Sequence, residues 1–178
     1  MRRLAAFVAL AAVAAAAWAQ AEAVVQIKAA YLYKFGGFVE WPEAAFAGPG
    51  APIVIGVLGA EALAAELEQV VVGRKVQERP VAVRRVRAGE PVAGLHILFI
   101  GEAQNARLAE IAAAWRGQAV LVVSESESAT ARGSMINFVT AENKVRFDVA
   151  LAPAEAGGLK ISARLLTVAR RVMAAAPS

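Results

Sequence analysis

The chain has 178 residues, 58% of them hydrophobic, with one histidine, no cysteine and a formal net charge of +4. Without cysteine there are no disulfides and no thiolate metal site, and a lone histidine leaves a soft-ligand zinc or copper centre short of donors. No dense lysine–arginine run appears, which argues against nucleic acid as a partner.

Met1-Arg2-Arg3 precedes an unbroken apolar run from Leu4 to Ala17, and Ala17 and Ala19 supply the small residues of a peptidase site. Residues 1–19 therefore read as a signal peptide cleaved on export from the cytoplasm, with a second small-x-small site at Ala21-Glu22-Ala23. The competing reading is an uncleaved anchor, but the run is shorter than the roughly 20 residues a spanning helix needs. Cleavage removes Arg2 and Arg3, takes the formal charge to +2 and leaves one domain over residues 24–173.

Val24, Ile27, Tyr31, Phe35 and Phe38 fall at helical spacing, which predicts a helix from Val24 to Phe38 with those residues buried and Lys28 and Lys34 pointing away. Trp41-Pro42 ends it, because proline restrains the residue before it to extended geometry. Pro52 to Gly59 reads as a strand and Ala60 to Val70 as a helix, the rhythm of an α/β domain. Val81 to Val86 is a strand whose arginines suggest a sheet edge or a solvated face. His96 to Ile100 is continuously apolar after the histidine, as expected of a central strand covered on both sides. A helix from about Gln104 to Trp115 and a buried strand from Ala119 to Val123 follow.

Ser134 to Val139 and Lys144 to Val149 are strand-like runs joined by residues 140–143, which implies an antiparallel hairpin. Pro153 to Ala156 can form one helical turn, stopped by Gly157-Gly158. A last helix is expected with Ile161, Leu165, Val168 or Ala169, and Val172 on one face, and with Arg164, Arg170 and Arg171 away from it. The fold class is thus α/β: a single domain with a mostly parallel sheet, an antiparallel C-terminal hairpin, and helices on both faces.

Chemistry is sparse. His96 opens a buried strand, where a hydrogen-bonded structural histidine is expected, and no Gly-x-Ser-x-Gly elbow presents a serine nucleophile. Glu61, Glu66 and Glu68 read as a solvated helix face. Gly56-x-x-Gly59 lies where backbone N–H groups can receive an anion, but it lacks the lysine of a phosphate loop and otherwise makes a tight βα turn. No enzyme activity, metal or cofactor is expected. Recognition is the better prospect: Glu40 and Trp41 sit together at a helix end, and Arg146 lies on the hairpin near the carboxylate of Asp148. Each has a plainer alternative, Trp41 as a core plug and Arg146 as a sheet-surface cation.

Taken in order, these segments resemble the YfiR family of periplasmic proteins. The likeness is carried by Ile27 to Phe35 with Phe38-Val39-Glu40-Trp41-Pro42, by Ile53 to Gly59, and by His96 to Ile100. Gly133 to Val139, Val145 to Val149, Gly158 to Ser162 and Arg164 to Ala169 complete it, so that it spans about Gln26 to Val172. Two positions depart from the family pattern: Leu95 stands where a cysteine is common, and Ala150 where an asparagine is. The resemblance implies a repressor that binds the periplasmic sensor domain of an inner-membrane diguanylate cyclase and thereby controls cyclic di-GMP and biofilm formation. It also implies a homodimer and an envelope signal or small molecule that weakens the repressing complex. Glu40, Trp41, Arg146, Asp148 and Lys160 are the partner- or ligand-binding candidates. The alternative function is a periplasmic small-ligand binding or sensing module.

Overall fold

The computed structural model describes residues 2–90, 93–142 and 144–174, with side chains from Trp18 onward. Helix α1 (Arg2–Phe38) leads into the short strand β1 (Val39–Glu40), and β2 (Ile53–Leu58) is followed by α2 (Glu61–Val70). Strands β3 (Lys75–Val76) and β4 (Arg79–Val86) precede β5 (Ile97–Ile100). A 3-10 segment (Glu102–Arg107) then runs into α3 (Leu108–Ala114) and β6 (Leu121–Ser124). The hairpin is β7 (Ile136–Ala141) and β8 (Lys144–Ala150), followed by α4 (Leu151–Ala156), β9 (Lys160–Ile161), α5 (Ala163–Val168) and β10 (Arg171–Met173).

One eight-stranded sheet runs β10-β8-β7-β6-β5-β2-β4-β3, parallel except for the β7–β8 hairpin and the short β3–β4 pair. Every residue of β5 and β6 is buried, as strands covered on both faces must be. Alternate residues feed two cores. Val57, Phe99, Val123 and Phe147 pack under α1 and α2, with Leu32, Phe35 and Leu67 supplied by the helices. Leu58, Leu98, Ile100 and Val122 pack on the other face under α3, which contributes Leu108 and Ala112. The single-domain α/β fold with a mostly parallel sheet is as expected. The arginine-bearing strand β4 lies one place in from the edge, covered only by the two-residue β3.

Three expectations need correction. The buried stripe of α1 is Ala29, Leu32, Phe35 and Gly36, whereas Ile27 is 43% exposed. The helix is rotated so that Lys28, expected to face away, turns partly inward and pairs with Glu125 after β6. The last helix is shorter than expected: Ile161 belongs to β9, α5 stops at Val168, and Arg171–Met173 form a strand on the edge of β8. Backbone pairing wins there because β8 offers a free edge, and Arg170 N–H donates to the Phe147 carbonyl at 2.8 Å. The hairpin turn is also tighter than four residues, since Ala141 already pairs with Lys144; Asn143 lies outside the described residues.

Candidate interaction surface

The structure brings Glu40 and Lys160 together. They are register partners in a two-residue antiparallel ribbon, β1 against β9, and both are exposed. The chain reaches this point because α1 ends at Phe38, whose carbonyl accepts Ser162 N–H at 2.9 Å, locking the ribbon to the first turn of α5. Ser162 also caps α5, its hydroxyl oxygen accepting Leu165 N–H. Trp41 turns the other way. It is buried, and its indole Nε1–H donates to the His96 carbonyl at 3.2 Å, so it plugs the core and presents no ring to a partner.

Asp148 and Arg146 lie two residues apart on β8 but do not pair with each other. Asp148 is buried and takes the Arg170 guanidinium in a bidentate grip, Arg170 Nε donating to Oδ1 at 2.8 Å and a terminal nitrogen donating to Oδ2. That grip raises the Arg170 pKa above its ordinary value, and it fixes the chain where β10 begins. Arg146 is exposed opposite Val139 and has no ion pair among the described residues.

Beyond this clamp, among the described residues β10 leaves one side of its backbone unpaired at the end of the sheet. Val168 is 58% exposed, Val172 42% and Met173 36%; the other large exposed apolar residues described are Trp18, Ile27 and Val72, which lie elsewhere along the chain. Arg164 and Arg171 are exposed on the same carboxy-terminal run, and Lys160 precedes them. An open strand with apolar and cationic side chains is a template for recognition by backbone pairing.

The remaining polar groups are structural. His96 Nδ1 accepts Val54 N–H at 3.1 Å, which places the neutral proton on Nε2, itself buried without a partner. Burial lowers the imidazole pKa; the Arg79 guanidinium adds to that, while the poorly placed Ala45 carbonyl opposes it. Phe46 stacks on the ring at 4.5 Å between centroids, and Arg79 stacks on Phe46 in turn at 3.8 Å. Under the loop after β6, Ser124 Oγ lies 2.8 Å from Ser134 Oγ and 3.0 Å from Asn137 Oδ1, which also accepts Ser126 N–H at 3.0 Å. Ser134 donates its own proton to the Ile136 carbonyl at 2.7 Å, so these side chains tie the loop to β7. Among the described residues no cluster of three His, Cys, Asp or Glu is placed to hold a metal, and no helix is long and apolar enough to cross a membrane.

Sequence reasoning missed Arg170 as the partner of Asp148, and with it the edge strand. The available signal was the carboxylate itself, an acidic residue at a buried position of a strand that needs a cation from elsewhere in the chain. The Lys28–Glu125 pair, whose acceptor also takes Glu102 N–H at 3.1 Å, left no local signal, since 97 residues separate its ends.

The chain is thus of the single-domain α/β class, with a mostly parallel sheet whose β10 edge carries exposed cationic and apolar side chains. The chain belongs to the YfiR/HmsC-like family, whose profile matches residues 25–170. That family is regulatory rather than catalytic, and periplasmic. A search of curated proteins finds no match to the chain.

Proposed function

We propose that this protein is an exported regulator that represses a membrane-bound diguanylate cyclase by binding its periplasmic sensor domain. Repression then holds cyclic di-GMP low and limits biofilm formation. Residues 1–19 serve as the signal peptide, in keeping with Arg2-Arg3 and the apolar run behind them. Family membership over residues 25–170 supports the regulatory reading. The observation that carries it to a surface is the exposed edge at β10, where Val168, Val172 and Met173 stand open to solvent beside Arg171.

Binding the inactive sensor more tightly than the active one is sufficient for repression, and no chemical step is required. The cations Lys160, Arg164 and Arg171 favour an acidic face on the partner and oppose close approach of a second copy of the same edge. The alternative, a small-ligand module, is favoured by a cleft beside α3, and the two readings are compatible when the ligand is the releasing signal.

Deleting the gene tests the reading. The expected result is a rise in cellular cyclic di-GMP and co-purification of the wild-type protein with a membrane cyclase. An unchanged level in the deletion strain would overturn it.

A further inference from the structure

The two faces of the sheet are covered unequally. Helices α1, α2, α4 and α5 contribute to the core on one face, while α3 supplies Leu108 and Ala112 to the core on the other. Among the described residues the sheet stays open beside α3, and a cleft of about 400 Å³ lies between that helix and residues 87–90 after β4. Its floor is Leu58, Val86 and Leu98, and its helical wall is Ile111 and Trp115. The floor is buried, whereas the two wall residues are only half-buried. A volume in the range of about 300–1,000 Å³ with an apolar lining and a few polar groups is the profile of a small-molecule site.

The position in the fold points the same way. Leu58 and Val86 end β2 and β4, and the chain passes from β2 to β4 on one side and then to β5 on the other. Open α/β sheets bind ligands at the carboxyl ends of strands where the order reverses in this way. The direct crevice between β2 and β5 is shut. A Cβ on Gly101 would come 2.4 Å from the Gly59 carbonyl oxygen, and Gln104 lies against Gly59. The opening at the switch point is therefore displaced onto the α3 face.

Charge at the rim selects the ligand. Glu110 is gripped by Arg107 through two hydrogen bonds, of 2.7 and 3.1 Å. Glu90 accepts the Arg87 backbone N–H at 3.2 Å. The Arg87 guanidinium, in contrast, has no ion pair among the described residues. Glu90 likewise has no ion pair, but its carboxylate is held on that backbone N–H, so among the described residues the Arg87 guanidinium is the one rim charge without a side-chain hydrogen bond above the apolar floor. We propose that this cleft binds a free amphipathic monocarboxylate, its apolar body of about eight carbons on Leu58, Leu98 and Trp115 and its carboxylate on Arg87.

The proposal rests on the cleft alone and is independent of the cyclase reading, because it is tested on the purified protein without a partner. Octanoate, 1-octanol and octylammonium are titrated below their aggregation limits while thermal unfolding and heat of binding are followed. Octanoate is expected to raise Tm saturably, with 1-octanol at least tenfold weaker and octylammonium without effect. Arg87→Gln is expected to weaken octanoate at least fivefold and to leave 1-octanol unchanged. Ala114→Trp places a large ring on an exposed position of the cleft wall and is expected to abolish binding of both without lowering Tm. Saturable octanoate binding indifferent to both substitutions, or no saturable binding by the folded wild-type protein, would overturn the assignment.

Discussion

The centre of the sheet and its carboxy-terminal edge are held by different forces. At the centre, β2, β5 and β6 lie between two apolar layers, and Tyr31, Phe35, Phe138 and Phe147 form one aromatic cluster, with Phe35 lying 5.2 Å from Phe147 and 5.8 Å from Phe138 between centroids. At the edge, a three-residue strand is fixed largely by the Arg170–Asp148 grip and by backbone pairing, and its own side chains stay in water. Among the described residues, nothing apolar covers Val168 or Val172. The contrast separates a region that buries its own apolar side chains from one whose apolar side chains, among the described residues, stay exposed.

The largest expected effect comes from breaking the centre. Phe35→Ala removes a fully buried ring and should cost about 3–5 kcal/mol by urea denaturation, with all regions unfolding together. Breaking the edge should be smaller and local. Arg170→Ala strands the buried Asp148 carboxylate, and should lower Tm by about 5 °C. It should also raise amide exchange across residues 171–173 at least tenfold while leaving β5 protected.

A pH titration sharpens the same division. The His96 pKa lies below its ordinary 6.5 because burial disfavours the charged ring, so the unfolded chain binds the proton more readily. Stability from this site is therefore full above pH about 6.5 and is lost as pH falls below it towards the folded value. Protonation also places a second donor opposite the Val54 N–H. His96→Asn, which keeps an acceptor there, should flatten the dependence of the urea midpoint between pH 7.5 and 5.5 measured in parallel with wild type. The smallest effect is expected at Arg85, which bridges Glu61 and Glu68 on the surface of α2 at 2.9 Å each. Exposed pairs contribute little, and Arg85→Ala should leave Tm within a degree or so of wild type.

The same division governs what could be read from the sequence. The runs Ile53–Leu58 and Ile97–Ile100 announce buried parallel strands because both faces need apolar residues, and the Ser134–Val149 stretch announces a hairpin through its short polar link. The apolar spacing from Ile161 to Val172 fits a helix equally well, although the chain there forms β9, α5 and β10. What decides the matter is the free edge of β8 and the carboxylate of Asp148, neither of which is local to that segment. Glu40 and Lys160 are legible as candidates, yet their pairing depends on β1 meeting β9, 120 positions further along the chain. Trp41 was singled out for its aromatic ring, and the structure uses that ring inside the core.

The claim that the open edge is the partner surface has a direct test in the binding of the purified protein to the periplasmic sensor domain of the membrane cyclase. Val168→Asp combined with Val172→Asp should weaken that binding at least tenfold with Tm unchanged, while Ile27→Asp, at an exposed apolar position on α1, should bind as wild type. An edge variant that binds as tightly as wild type, or an equal loss from Ile27→Asp, would contradict the account.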